Sequence, residues 1–160
     1  MSNIIIREAR ETDCALILEL IKGLAEYERA LSEVKTSEQD LRSALFCEHP
    51  KAFALICSID DEAVGFALYF YNYSTWTGKF GLFLEDLYVS VQHRGSGAGK
   101  ALLQHLAKLA VESGCARFEW NVLDWNEPSI KFYESFGAKP QSEWVGYRLA
   151  GEELRSFAES

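Results

Sequence analysis

The sequence predicts a mixed α/β fold, in which helices cover both faces of a central, mostly antiparallel sheet. The first observation is the order of the predicted elements: a strand, two helices, three strands joined by short turns, and then β-α-β-α-β. The second is the composition, since 48% of the residues are hydrophobic and 25% are charged, as in ordinary globular domains. The third is the length: 160 residues predict one domain, 1–160, with a sizeable core.

The first three elements follow from local patterns. Residues 4–6 form an isoleucine run typical of a short strand. Thr12 and Asp13 precede an apolar stripe at helical spacing, which predicts the first helix. The stripe consists of Leu16, Ile17, Leu20, Ile21 and Leu24. Residues 37–40 resemble a capping box with Asp in place of Glu, so we expect a second helix from there toward Phe46.

Three strands are predicted next, over residues 52–59, 63–73 and 80–91. The turns between them, at 60–62 and 75–79, are short. Because short turns join neighbouring antiparallel strands, these three strands should form a meander.

The last part of the chain alternates between helices and strands. A helix should follow the glycine-rich residues 95–99 and end near Gly114, with a strand over 115–123 after it. A helix is expected from about Pro128, a strand over 144–149 and a short helix over 152–158.

Charge and composition exclude several function classes. The net charge of −8 disfavours a nucleic-acid partner, because phosphate backbones require a basic face. The chain has neither an apolar run of about 18 residues nor an apolar leader, so we expect no membrane partner and a cytoplasmic location. The four cysteines form no CxxC and should be reduced thiols. Neither they nor the three histidines show metal-ligand spacing, so no metal is expected.

A basic, glycine-dense turn, residues 94–100, links a predicted strand to a predicted helix and suits a pyrophosphate. A P-loop is disfavoured, because Arg94 stands at its first glycine and Ala101 at its hydroxyl position. A dinucleotide fingerprint would need glycine where Lys100 stands, and it should open the first βαβ unit. The pattern present is Arg94-x-x-Gly97-x-Gly99. A glycine turn that holds no ligand is the alternative at this stage.

That pattern matches the R/Q-x-x-G-x-G/A signature of the GNAT acetyltransferase superfamily, which the chain resembles over nearly its whole length. The resemblance extends to the branch that contains the spermidine/spermine (diamine) N-acetyltransferases and the thialysine N-epsilon-acetyltransferases. Five further strings carry it: LAEYE at 24–28, YSTW at 73–76, LEDLYV at 84–89, VLDWN at 122–126 and FY followed by FGA at 132–138. It implies the GNAT fold, acetyl-CoA as co-substrate and a homodimer.

The resemblance also implies which residues hold acetyl-CoA. The turn would bind the pyrophosphate, and the backbone of residues 87–89 would pair with the pantetheine amides. Tyr133 would lie beside the thioester sulfur as the proton donor, although a core aromatic is the alternative. The implied cofactor-binding residues are Leu87, Tyr88, Val89, Arg94, Gly95, Ser96, Gly97, Ala98, Gly99, Lys100, Asn126, Pro128, Ser129 and Tyr133.

A base is needed because a primary amine has a pKa near 10.4, so only about one molecule in a thousand is neutral at pH 7. The resemblance implies that Glu85 binds the amine and relays its proton through a water. An ordinary carboxylate at a strand edge is the alternative. Strand alternation sends Asp86 to the opposite side of the sheet, which makes it the weaker candidate.

The amine pocket implied by the resemblance consists of Tyr27, Glu28, Trp76, Glu85, Glu119 and Asn121. For Tyr27 and Trp76, core or dimer packing is an alternative. Thr75 stands where polyamine-preferring members carry an acidic residue, so the amine stays open between a diamine, a polyamine and a thialysine-like lysine analogue. Acetylation of a protein lysine or amino terminus, and a non-catalytic acyl-CoA sensor, are the competing functions.

Overall fold

A computed structural model describes residues 3–160, which divide into two compact units after Asn121. The first unit contains β1 (Ile4–Glu8), α1 (Cys14–Tyr27), α2 (Glu38–Leu45), β2 (Phe53–Ile59), β3 (Glu62–Ser74), β4 (Lys79–Val89), α3 (Ala98–Glu112) and β5 (Arg117–Trp120). The second contains α4 (Glu127–Ser135) and α5 (Gly151–Glu159). Within residues 3–160, no helix is both long and apolar enough to cross a membrane.

The sheet of the first unit has the strand order β1-β2-β3-β4-β5. The first four strands are antiparallel to their neighbours, and β5 runs parallel to β4. The predicted meander of β2, β3 and β4 is therefore confirmed. The register between β3 and β4 shifts between Leu68 and Tyr69, which places a bulge in the middle of β4.

The core on one face of the sheet is built by α1 and α2. Ile17 of the predicted apolar stripe and Phe66 of β3 are fully buried, and Leu41 of α2 belongs to the same buried cluster. The capping box holds α2 in place, because the Asp40 N–H donates to Ser37 Oγ at 3.1 Å and the Ser37 N–H donates to Asp40 Oδ2 at 3.0 Å. The predicted start of this helix is confirmed.

The opposite face of the sheet is also covered. On β2, Ile56 belongs to the α1–α2 core, while its neighbour Leu55 points the other way and is equally buried. The helix α3 packs against the strands and buries Leu102 and Leu106 completely. Helices therefore lie on both faces of a mixed sheet, as the element order predicts.

Two predicted strands differ from the observed ones. The strand expected over 115–123 is shorter, since β5 spans only Arg117–Trp120. The strand expected over 144–149 is wrong: none of these described residues is in a strand, and Val145 and Tyr147 are 76% and 97% exposed. An apolar and aromatic pattern predicts a strand only where a neighbouring strand accepts its hydrogen bonds, and no ladder of the described sheet includes this segment.

Candidate functional site

The glycine turn lies between β4 and α3 and adopts backbone conformations that favour glycine. Gly95 and Gly97 have φ angles of 79° and 92°, and Gly97 is the residue that precedes the first turn of α3. The Gly97 carbonyl accepts from the Ala101 N–H at 2.9 Å, which is the first hydrogen bond within the helix. The N–H groups before Ala101 have no acceptor within the helix, so this helix start suits an anion.

The surface of the turn leaves room for a ligand. A Cβ on Gly95 would meet no other atom within 4 Å, so a ligand can approach the backbone there. Ser96 Oγ lies 3.3 Å from the Ala98 nitrogen, and the side chain of Lys100 is exposed beside them. Exposed backbone donors and a nearby cation are what a pyrophosphate requires.

His93 anchors the turn, a role that the sequence did not indicate. Its Nδ1 lies 2.8 Å from Ser90 Oγ, and its Nε2 lies 3.6 Å from the carboxylate of Glu62 at the start of β3. The Ser90 N–H in turn donates to the carbonyl of Val64 at 2.8 Å. Spacing cannot reveal such an anchor, because Glu62 is distant in sequence and meets His93 only through the β3–β4 pairing.

Arg94 projects from the turn toward the end of α1. Its Nε–H donates to the carbonyl of Val89 at 3.3 Å. The guanidinium carbon lies 4.4 Å from the ring centroid of Tyr27 and 5.7 Å from that of Tyr88. The structure therefore brings together an implied pyrophosphate residue and an implied amine-pocket residue.

The middle of β4 carries two consecutive carboxylates at the bulge. Asp86 pairs with Leu68 and Leu84 pairs with Tyr69, so Glu85 is the extra residue between them. Burial, followed by the charges of Glu85 and Glu28, raises the pKa of Asp86 to about 6. The bulge interrupts the strict strand alternation on which the expected separation of Asp86 from Glu85 depends.

Glu28 completes this group of carboxylates. It directly follows α1, which packs against β4, and burial raises its pKa. We call Glu28, Glu85 and Asp86 the acidic cluster. Carboxylates crowded in a partly buried place repel one another, and a cation that binds among them relieves that repulsion. The cluster can therefore bind a cation, and Asp86 can exchange a proton near neutral pH.

Beyond the bulge, one edge of β4 has no paired strand among the described residues. Among the described residues, the β4–β5 ladder ends at the pair Leu84 and Trp120, although β4 continues to Val89. Backbone groups on the β5 side of residues 85–89 therefore have no strand beside them within the sheet. Such an open edge suits a ligand that carries amide groups of its own.

The other implied amine-pocket residues of the first unit lie elsewhere on the sheet. Glu119 is half-buried on β5 opposite Phe83, and Asn121 is exposed just after that strand. Trp76 is 80% exposed in the turn that precedes β4, which is about 20 Å along the strand from Glu85. The structure thus brings Glu28 near Asp86 and leaves the backbone of Trp76 at the far end of β4.

The second unit holds the remaining implied residues. Asn126 is 5% exposed and caps α4, since its Oδ1 accepts from the Ser129 N–H at 3.4 Å. Pro128 occupies the first turn of that helix, where its missing N–H costs nothing. Tyr133 is half-buried on α4, and its ring lies 5.7 Å from that of Phe132.

Comparisons with known proteins agree with this architecture. A model of the Acetyltransferase (GNAT) family matches residues 16–138. Thialysine N-epsilon-acetyltransferase of Sus scrofa is 39% identical over 169 residues, which cover 99% of both chains. L-ornithine N5-acetyltransferase NATA1 of Arabidopsis thaliana is 42% identical over 98 residues, which cover 61% of this chain and 43% of the plant enzyme.

Among solved structures, the integron cassette protein VCH_CASS6 of V. cholerae superposes with a TM-score of 0.81 at 30% identity, covering 98% of both chains. This match shows the same fold over nearly the full length. Because the family model matches most of the sequence and a full-length relative is 39% identical, the chain belongs to the GNAT family and is an acetyl-CoA-dependent N-acetyltransferase.

Proposed function

We propose that this enzyme acetylates a primary amine of a small molecule, either a diamine or polyamine or a lysine analogue of the thialysine type. The acidic cluster is the observation that carries the proposal: burial raises the pKa of Asp86 to about 6, and the charges of Glu85 and Glu28 add to the shift. A protonated amine is the ligand that such a cluster attracts. Relatives that acetylate thialysine and ornithine support the same class of substrate.

The glycine turn fits the pyrophosphate of acetyl-CoA, which supplies the acetyl group as a thioester. Its N–H donors at the start of α3, with Arg94 and Lys100 nearby, would hold the two phosphates. The open edge of β4 over residues 87–89 would pair with the pantetheine amides. Asn126, Pro128 and Ser129 are also proposed cofactor-binding residues.

Side chains of the protein would accept the proton of the amine and donate a proton to the leaving thiolate. An ammonium must lose a proton before its nitrogen can attack, and Glu85 is the proposed base. Asp86, whose pKa is raised to about 6 mainly by burial, is the proposed next acceptor of that proton. The phenol of Tyr133 is the proposed donor to the leaving thiolate. The remaining proposed amine contacts are Glu28, Trp76, Glu119 and Asn121, whereas Tyr27, which the resemblance also implies for this pocket, contacts Arg94.

We also propose that residues 1–160 act as one catalytic domain, which the family match over 16–138 supports because it spans both units. A homodimer and a cytoplasmic location remain parts of the same proposal. The exposed aromatic pair of Tyr73 and Phe80 supports a dimer, because these two rings lie outside the core of one chain and a partner chain would cover them.

The test is an amine panel with acetyl-CoA near pH 8, followed by thiol release and by mass spectrometry of the products. We expect acetylation of diamines, polyamines or thialysine-like lysine analogues, and none of lysine-containing or amino-terminal peptides at equal concentration. Peptide acetylation alone would replace the small-amine proposal with a protein substrate. Tight acetyl-CoA binding without release on any amine would indicate a sensor.

A further inference from the structure

Two tyrosines from different elements hold the arginine of the glycine turn. Tyr27 is the last residue of α1 and Tyr88 lies on β4, and the guanidinium carbon of Arg94 is 4.4 Å and 5.7 Å from their ring centroids. Both distances are within the range of a cation–π contact. The Val89 carbonyl is a third contact of this side chain, since it accepts from Arg94 Nε at 3.3 Å.

This arrangement depends on a glycine in α1. A Cβ on Gly23 would lie 2.8 Å from ring atoms of Tyr88, so a larger residue there would force that ring to move. Glycine inside a helix lowers its stability by about 0.5–1 kcal/mol relative to alanine, so the close approach of the ring is the feature that requires it. Tyr88 is thereby held beneath α1, with Arg94 beside it.

We propose that Tyr27 is a positioning residue for the cofactor: it holds Arg94 in place for the pyrophosphate, and its role is not in the amine pocket. The inference rests on the proposed function, since it takes the turn as the pyrophosphate site. Arg94 is an exposed, long side chain, which without its contacts would populate many rotamers. A side chain that is already ordered loses less entropy when the ligand binds.

One face of the Tyr27 ring is occupied by the guanidinium of Arg94. A cation can use an aromatic face only when that face is accessible, and here the guanidinium of Arg94 lies over it. The neighbouring Glu28 belongs instead to the acidic cluster. At the end of α1, Tyr27 would therefore act in binding acetyl-CoA and Glu28 in binding the amine.

Calorimetry on the full chain tests this with two probes: coenzyme A, and pantetheine, which lacks the diphosphate. Tyr27→Leu should weaken coenzyme A binding about threefold to fivefold, the range of an exposed cation–π contact, and should leave pantetheine binding unchanged. Tyr27→Phe keeps the aromatic face and should bind coenzyme A like the wild type. In an Arg94→Ala background, Tyr27→Leu should have no further effect.

A general packing defect would weaken both probes and would persist in the Arg94→Ala background, which would overturn the proposal. Unchanged or tighter coenzyme A binding by Tyr27→Leu would overturn it too. Should that variant not fold, Arg94→Lys tests the contact from the other side. Lysine keeps the charge but loses the planar group, so coenzyme A should bind several-fold more weakly, and wild-type affinity would contradict the inference.

Kinetics separate this inference from the proposed function. At saturating acetyl-CoA, Tyr27→Leu should keep the KM for the amine, whereas a pocket residue would raise it. If the wild-type chain does not bind coenzyme A, the proposed function fails. If the wild type binds and Tyr27→Leu binds equally well, only the role of Tyr27 fails.

Discussion

Glu28 and Asp86 belong to different elements, yet the charge of Glu28 contributes to raising the pKa of Asp86 to about 6. Glu28 follows the last turn of α1, and Asp86 lies beside the bulge of β4. The main cause of the shift is burial, with Glu85 and then Glu28 adding repulsion. Packing of α1 on β4 thus creates a carboxylate whose charge depends on pH near neutrality.

The first prediction concerns stability and follows from the sign of this shift. The folded pKa of about 6 exceeds the ordinary value of 3.8, so the ionised carboxylate costs stability. The cost is absent below pH 3.8, grows up to pH 6 and reaches at most about 3 kcal/mol above it. Asp86→Asn should therefore raise the Tm at pH 7.5 and lose that advantage near pH 4. Exposed Asp124→Asn is the control, expected within about 0.5 kcal/mol of wild type at both pH values; equal behaviour of the two variants would contradict the shift.

The second prediction concerns amine recognition by Glu28. Glu28→Gln removes one carboxylate from the acidic cluster and should raise the KM for a cationic amine roughly fivefold, which corresponds to about 1 kcal/mol. It should also lower the pKa of Asp86, because a like charge is gone. The acid limb of the kcat/KM profile should therefore move to lower pH. Glu26→Gln, at an exposed position of α1, is the matched control. An unchanged KM in Glu28→Gln would remove that residue from the amine site.

The third prediction concerns Gly97 and Gly99 of the turn, whose replacement by alanine should change stability in opposite directions. Gly97→Ala forces a left-handed conformation on alanine and should destabilise the fold by about 1–2 kcal/mol. Gly99 lies in the first turn of α3, where a Cβ would meet only Val89 Cγ2 at 3.9 Å, so alanine should raise stability by about 0.5–1 kcal/mol. Both variants should nevertheless bind coenzyme A more weakly. Thermal unfolding and calorimetry check this pair, and full affinity in a stabilised Gly99→Ala would argue against close approach of a ligand.

The fourth prediction addresses the proposed proton donor. Tyr133→Phe keeps the aromatic ring and removes only the hydroxyl, so packing against Phe132 should persist. Turnover should fall roughly a hundredfold, as is typical when a general acid is lost, while coenzyme A affinity stays near wild type. Single-turnover kinetics with calorimetry check both quantities. Retained turnover would assign Tyr133 to the helical core.

The fifth prediction concerns the ion pair that joins β1 to the start of α1. Arg7 Nη1 and Nη2 donate to the two oxygens of Asp13 at 2.8 and 3.0 Å, and the Arg10 N–H donates to the same carboxylate at 2.7 Å. The hydrogen bonds from Arg7, with smaller help from Arg10, lower the pKa of Asp13 below 3.8, despite burial. Its contribution is therefore present above pH 3.8 and is lost as the pH falls through the folded pKa.

Asp13→Asn should accordingly cost about 2–3 kcal/mol at pH 7, because Arg7 is left without its charged partner in a half-buried place. The difference from wild type should shrink below pH 3. Denaturant unfolding at the two pH values measures it. The exposed pair of Arg155 and Glu152 is the comparison: Glu152→Gln should change stability by less than about 1 kcal/mol.

Local sequence signals were sufficient for most elements of the fold. Ser37 and Asp40 are three residues apart and cap α2 by themselves, so the helix start could be predicted from their spacing. The meander could be predicted from the short turns between its strands. The strand-to-helix turn could be predicted from its glycines, which adopt backbone conformations that other residues disfavour. These features depend on neighbours in the chain, which the order of residues already specifies.

Two features depend on partners that are distant in sequence. Residues 144–149 have an apolar and aromatic pattern, but no ladder of the described sheet includes them. At Asp86, the pairing of β4 with β3 creates a bulge, which interrupts the strand alternation that the prediction used. Neither outcome can be read from one segment alone, because each is decided by which strand lies alongside it.

The family, the glycine turn and the presence of two carboxylates in the LEDLYV string were therefore determined by the order of residues alone. Only the tertiary structure decided that Tyr27 faces Arg94, that His93 anchors the turn on Glu62, and that Asp86 has its pKa raised. The physical reason is the same in each case: ring contacts, hydrogen bonds and burial act over a few ångströms in space, whereas these partners are separated by tens of residues or lie on elements that only packing brings together.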